Sequence, residues 1–227
     1  MRPANELRPV TVRRDVPSVA PAVLWEQGET AILATATIEK VVPPWFPEDK
    51  PGGWVTANYL MMPGSTPGRK RWPRTGHTDS RGTEIERLIG RSLRAAVNMD
   101  QIGPHTITID CQVLRADGGT RTAAICGGFL ALSDALKAVG TDSAIRGELA
   151  AVSVGVVEGK PVLDLDYPLD SNADVDMNIV RNAAGQYVEI QGSAEAAAGF
   201  GSEHLTAMLD LAVLGCNELI EIQRKHR

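Results

Sequence analysis

Two hydropathy periods alternate along the chain. Ile107, Ile109, Cys111 and Val113 fall on one face of residues 106–113, while Thr106, Thr108, Asp110 and Gln112 fall on the other, the period of two that marks a half-buried strand. Residues 8–14 alternate weakly, residues 22–26 form a short run, and residues 31–39 (AILATATIE) and 54–62 (WVTANYLMM) are rich in strand formers. Four N-terminal strands are expected, with a hairpin at Gly28-Glu29. Residues 41–53 carry four prolines, which no regular element crosses. In residues 83–97 the period lengthens to that of a helix: Ile85, Leu88, Ile89, Ser92, Ala96 and Val97 make one stripe, and Arg87, Arg91 and Arg94 lie off it on a solvated or interface face. A second helix follows the strand at 106–113 and runs to residue 136. Residues 149–158 and 161–167 pair around Gly159, and residues 175–181 and 187–191 turn at Ala184-Gly185. A last helix to residue 223 has Ser202 as its cap and Glu203 in its first turn. Strands and helices interleave without a strict βαβ rhythm, so the class is α+β, with helices packed on mixed sheets.

At 227 residues, with 43% hydrophobic and 22% charged, the chain has an ordinary globular balance and fits one domain over residues 1–227. No apolar leader opens it and no long uninterrupted apolar run occurs, so a cytoplasmic protein without a membrane span is expected. The three cysteines, Cys111, Cys126 and Cys216, are scattered among apolar neighbours and read as buried thiols rather than disulfides or a zinc site. The net charge of −5 speaks against a generic nucleic-acid binder. Its distribution changes the picture, because Arg69, Lys70, Arg71, Arg74, Arg81, Arg87, Arg91 and Arg94 form a basic region in an acidic protein, and a polyanion meets the local field.

Three stretches hold candidate chemistry. Residues 117–122 (DGGTRT) join a strand to a helix, and glycine turns, unpartnered first-turn amides, hydroxyls and a guanidinium together attract anions. The plain alternative is a strand-to-helix turn with a surface arginine. Residues 63–80 are rich in Pro, Gly and Arg and form an exposed loop; Arg69, Lys70, Arg71 and Arg74 around Trp72 suit either a solvated loop or a grip on single-stranded RNA. Asp164, Asp166, Asp170, Asp174 and Asp176 crowd a third stretch, as turn residues or as a site for Mg²⁺ or Mn²⁺ completed by phosphate oxygens and water. There is no P-loop, no nucleophile elbow and no zinc-protease histidine spacing.

Together these stretches resemble the ribonuclease PH family of phosphate-dependent 3′-to-5′ exoribonucleases. The likeness runs through LRPV (7–10), GWVTANY (53–59), RGTEIERLIGRSLRAAV (81–97), TITIDCQVLRADGGTRTAAI (106–125), AAVSVGVVEG (150–159) and DSNADVDMNIV (170–180). The resemblance implies a βαβα arrangement like the ribosomal protein S5 domain 2-like fold, a homo-hexamer built as a trimer of dimers, and trimming of RNA, chiefly tRNA precursor 3′ ends. It assigns phosphate binding to Arg81, Gly119, Thr120 and Arg121, catalysis and the metal to Asp170 and Asp176, and RNA contact to the 63–80 loop, where Arg69, Arg71 and Arg74 are the candidates. Inorganic phosphate is the implied co-substrate and Mg²⁺ or Mn²⁺ the cofactor. The alternative within the family is a catalytically weak or inactive RNA-binding ring subunit. Gly64 stands where the family has an arginine, and Asn58 replaces the usual glutamate.

Overall fold

The computed structural model describes residues 2–72, 80–195 and 199–227. Two sheets share the chain. The first holds β1 (Val10–Arg13), β2 (Ala22–Gln27), β3 (Thr30–Glu39), β4 (Trp54–Met61) and β5 (Thr106–Arg115), in the order β1-β2-β3-β5-β4. All pairings are antiparallel except that of β4 with β5, which α1 (Ser80–Ala95) connects as a crossover. The second, fully antiparallel, holds β6 (Leu149–Val157), β7 (Lys160–Leu163), β8 (Val175–Asn182) and β9 (Tyr187–Ala194) in the order β7-β6-β8-β9. Helix α2 (Thr120–Ala138) packs on both sheets, and α4 (Ser202–His226) covers β6 and β7. The short α3 (Tyr167–Asp170) links β7 to β8. The mixed α+β class and the βαβα order of β4, α1, β5 and α2 are as expected.

The place of α2 follows from its composition. Fourteen of its 19 residues are buried, because it is apolar all round and is covered on more than one side. Gly127 and Gly128 let it close onto the first sheet, where an added Cβ would stand 3.0 Å from the Trp25 side chain and 3.3 Å from Ile109 respectively. One hydrophobic cluster takes in Trp25, Ile32 and Ile109 from the first sheet, Phe129 and Leu130 from α2, and Val152 and Ile179 from the second.

Several details depart from the expectations. Helix α1 starts at Ser80, so Arg81 lies in its first turn rather than ahead of it. The run at 161–167 does not continue as strand: β7 stops at Leu163, Asp164 turns with φ of 56°, and α3 begins at Tyr167 with Asp166 as its cap. Gly201, not Ser202, is the N-cap of α4. Arg94 is only partly solvated, because its guanidinium lies 4.5 Å from the Trp54 ring centroid and donates to the Val55 carbonyl at 3.0 Å.

The turn at Asp164 anchors the two sheets to one another. Its carboxylate is fully buried and accepts from the Arg8 backbone N–H at 2.8 Å, from Arg8 Nη2 at 2.7 Å and from Arg2 Nη1 at 3.3 Å. Burial pushes this carboxyl up, but the hydrogen bonds and charge of Arg8 outweigh it and hold the group below the usual carboxylate range. Its ionic form therefore contributes stability that is present above the unfolded pKa of 3.8 and is lost as pH falls through the lower folded value. Asp164→Ala strands Arg8, which is 7% exposed, and is expected to cost about 3–5 kcal/mol in urea unfolding at pH 7. The deficit should shrink on acidification below about pH 4; a loss under about 1 kcal/mol at neutral pH would show that the pair does not carry this junction.

Candidate active site

The glycine loop between β5 and α2 is held from three sides. Gly118 and Gly119 take φ of 74° and 62°, and an added Cβ on Gly118 would lie 2.4 Å from the Leu165 carbonyl oxygen, so only glycine fits. Thr30 Oγ1 donates to the Gly118 carbonyl at 2.7 Å and accepts from the Asp117 N–H at 3.0 Å. Arg8 donates to the Asp117 and Gly118 carbonyls. With its carbonyls turned back toward these donors, the loop leads into the N-terminus of α2, where first-turn amides and the helix dipole favour an anion.

This loop forms one wall of a cleft of about 820 Å³. Arg81, Gly119, Thr120, Arg121, Asp170 and Asp176 all line it, and so do Arg69 and Arg71, together with Lys70 and Trp72. Arg74 lies outside the described residues. Segments far apart in the chain thus meet at one opening: α1 and α2 bring the guanidinium groups, α3 and β8 bring the carboxylates, and the loop after β4 brings the basic rim. Of the five-aspartate stretch only Asp170 and Asp176 reach it. Asp164 is committed to Arg8, Asp166 accepts from Leu169 N–H at 3.0 Å as the cap of α3, and Asp174 is exposed.

Electrostatics divide the cleft into two halves. Burial first, then the neighbouring Asp170 charge, push the Asp176 carboxyl up to about 6, with Arg121 and Arg81 pulling the other way. Asp170 is raised by burial and partly offset by the same two arginines. Glu195 adds negative charge to both. Two half-buried carboxylates, both raised by burial and one of them also by the charge of the other, suit a hard divalent cation, whose charge removes that penalty. Among the described residues no group of three or more His, Cys, Asp or Glu side chains is placed to hold a metal, so the two aspartates would need phosphate oxygens and water to complete the shell.

Several lining residues had escaped the sequence reading. Tyr59 ends the inward row of β4, and its phenol oxygen lies 2.7 Å from Thr120 Oγ1. Its period-two position after Val55 and Ala57 marks it as inward-facing, but only the fold shows where its polar tip lands. Ser153, Asn178 and the exposed Tyr167 also line the cleft. Arg121 donates to Gln191 Oε1 at 3.3 Å, and Gln191 in turn donates to Glu84, which ties α2, β9 and α1 together at the rim.

A cleft with arginines and a glycine loop on one wall and paired carboxylates on the other, carried on this α+β fold, defines a phosphoryl-transfer protein. Comparison with known proteins narrows the class. The 3′ exoribonuclease family matches in two parts, domain 1 over residues 6–137 and domain 2 over residues 147–215, and the chain belongs to that family. A Rhodopirellula baltica protein named ribonuclease PH is 47% identical over 98% of this chain and 94% of its own length. One of the same name from Corynebacterium efficiens is 46% identical over 98% and 93%. Among solved structures, rice Rrp46 superposes with a TM-score of 0.79 at 18% identity, covering 98% of this chain and 96% of that one. An Archaeoglobus fulgidus exosome with RNA bound to the active site gives 0.81 at 19% identity, covering 97% and 90%.

The raised Asp176 value fixes the sign of a pH effect. Its folded pKa, about 6, exceeds its unfolded value of 3.8, so the folded state binds the extra proton between those values and loses stability as pH rises through that window. Asp176→Asn removes the charge with little change of shape. In metal-free buffer it is expected to raise stability at pH 8 by on the order of 2 kcal/mol relative to the native chain. The gain should vanish near pH 4, and a variant less stable than the native chain at pH 8 would contradict the electrostatic account.

Proposed function

We propose that this cleft carries out phosphate-dependent 3′-to-5′ degradation of RNA. The observation that carries the reading is the meeting of Arg81 and Arg121 with Asp170 and Asp176 in one cleft large enough for a nucleotide terminus. Membership of the 3′ exoribonuclease family and full-length similarity to two ribonuclease PH proteins support it.

In this reading inorganic phosphate is held by Arg81, Arg121, the Thr120 hydroxyl and the amides that follow Gly119. One of its oxygens bonds to the phosphorus of the last phosphodiester, the bond from that phosphorus to the preceding 3′ oxygen breaks, and a nucleoside 5′-diphosphate leaves. The nucleophile is already anionic, so no strong base is needed. The protein's task is to offset repulsion between two phosphates and place them in line. The proton carried in by hydrogenphosphate is the one the departing 3′ oxygen needs, so the exchange requires no net proton from the protein. Asp170 and Asp176 would hold a divalent cation, Mg²⁺ or Mn²⁺, which supplies neutralising charge on the phosphate oxygens when bound. One phosphate linkage replaces another, so extension of RNA from nucleoside diphosphates is the expected reverse.

Arg69, Arg71 and Arg74 are proposed RNA contacts, the first two on the rim of the cleft. Precursor tRNA 3′ ends are the proposed natural substrate and a homo-hexamer the proposed assembly, both supported by the family resemblance; the cytoplasm is the proposed compartment, and residues 1–227 the proposed single domain, which the family matches in two parts. No helix among the described residues is long and apolar enough to cross a membrane.

The reaction is tested by incubating 3′-labelled RNA with Mg²⁺, with and without phosphate. Diphosphate release only when phosphate is present is expected; RNA binding without release indicates a non-catalytic ring subunit. Arg81→Ala or Arg121→Ala should raise the phosphate concentration needed and cut the rate by more than about tenfold, since each charge-assisted contact is worth roughly 1.5–3 kcal/mol. Unchanged phosphate dependence in either variant removes that residue from the site.

A further inference from the structure

Tyr59 is placed where its hydroxyl meets the phosphate wall rather than the RNA rim. Its ring closes the cleft end of β4 and is only 8% exposed, and its backbone N–H donates to Glu86 Oε1 at 3.2 Å, which fixes the residue against α1. The phenol oxygen is 2.7 Å from Thr120 Oγ1, at the first residue of α2, and both residues line the cleft. We infer that Tyr59 is a positioning residue for the inorganic phosphate, acting through Thr120: its phenol donates to the threonine oxygen and so leaves the threonine proton aimed at the anion. This inference rests on the phosphorolytic reading above and adds a residue that reading does not use.

The direction of the bond follows from the chemistry of the two groups. A phenol is a far stronger acid than an aliphatic alcohol and is the better donor between them. A threonine hydroxyl has one proton and two lone pairs. If Thr120 gave its proton to Tyr59, it would present only lone pairs to a ligand rich in acceptor oxygens. With Tyr59 as donor, the relay ends in a donor facing the phosphate, and each hydrogen bond in it strengthens the next. Burial raises the phenol's pKa, with the Thr120 bond, Arg81 and Arg121 acting against it, so Tyr59 stays protonated across the working pH range. Arg81 and Arg121 are thus electrostatic neighbours of the phenol as well as lining the same cleft. A purely packing role is served equally well by phenylalanine; the hydroxyl and its partner are what the inference concerns.

Tyr59→Phe keeps the ring and removes the donor, so folding is expected to be preserved. Phosphorolysis measured against varied phosphate should show the KM for phosphate raised about five- to tenfold, with kcat at saturating phosphate within about twofold, the size expected for one hydrogen bond to a ligand-binding hydroxyl. Thr120→Val should raise the KM for phosphate at least as much, and Tyr59→Phe added to Thr120→Val should change it by less than about twofold, because the two residues act in series. The rise in unfolding temperature caused by inorganic phosphate alone should fall in the same order. An unchanged KM in Tyr59→Phe, or two effects that multiply in the double variant, overturns the inference. If the native chain releases no diphosphate but phosphate still stabilises it in a Tyr59-dependent way, the phosphorolytic reading falls and the assignment of Tyr59 to the phosphate stands.

Discussion

The buried pair of Arg8 and Asp164 is the constraint from which the site's geometry follows. A carboxylate with no exposed surface is costly to bury, and here it is matched by a guanidinium that is itself 7% exposed. That guanidinium does more than neutralise a charge. While Arg8 binds Asp164 with one edge, it reaches the carbonyls of Asp117 and Gly118 with another. Three pieces of chain distant in sequence are therefore fixed relative to one another: the N-terminal segment before β1, the loop before α2, and the turn that leads into α3. The first carries the lock, the second carries Arg121 and Thr120, and the third carries Asp170. The left-handed conformation of Asp164 fits this account, since an aspartate adopts it at some cost and the surrounding bonds over-determine it.

With the walls fixed, the charges on them become interdependent. Arg81 and Arg121 lower the proton affinity of both cleft aspartates, while Glu195 raises that of both and Asp170 raises that of Asp176. Neither wall is indifferent to a ligand on the other. An anion settling against the arginines would reduce the support they give to the carboxylates, and a cation settling between the carboxylates would restore it. An anion on one wall and a cation on the other would thereby be linked through the field of the cleft. The excess of acidic residues elsewhere, giving a net charge of −5, leaves this cleft and its Arg69 to Trp72 rim as a local basic region on an acidic molecule.

Much of this was legible in the sequence, for identifiable reasons. Strands β3, β5, β6 and β8 are long, and their patterns are set by packing against a common core, so their existence follows from periodicity alone. Helix α2 announced itself by a long apolar run after a glycine pair. What periodicity could not give was the break after β7. Residues 161–167 read as one strand because Val162, Leu163 and Leu165 are all apolar, yet Leu163 and Leu165 are buried on either side of a left-handed turn that Arg8, more than a hundred positions away, stabilises. For the same reason the five aspartates looked alike in sequence and proved to have different neighbours. The four-residue α3 is too short for any helical period to show, and its start is marked only by an Asp-Tyr-Pro sequence whose capping role depends on the Asp166 side chain finding Leu169 N–H. The Tyr59 to Thr120 contact joins two elements 61 positions apart and has no local signature at all.

The residue next to Tyr59 shows why one departure from the family pattern leaves the cleft untouched. Asn58 pairs in register with Asp110 across β4 and β5, and its amide donates to the Asp110 carboxylate at 2.7 Å on an exposed face. A glutamate there would set two carboxylates directly opposite each other, a like-charge cross-strand pair that needs an outside cation to be tolerated. Asparagine removes that need by supplying a donor from within the chain. Because side chains alternate across a strand, the exchange acts on the outer face of β4, while Tyr59 one position on turns inward to the cleft. The change therefore alters what the outer surface of the first sheet asks of its surroundings and leaves the cleft-facing side of β4 as it is.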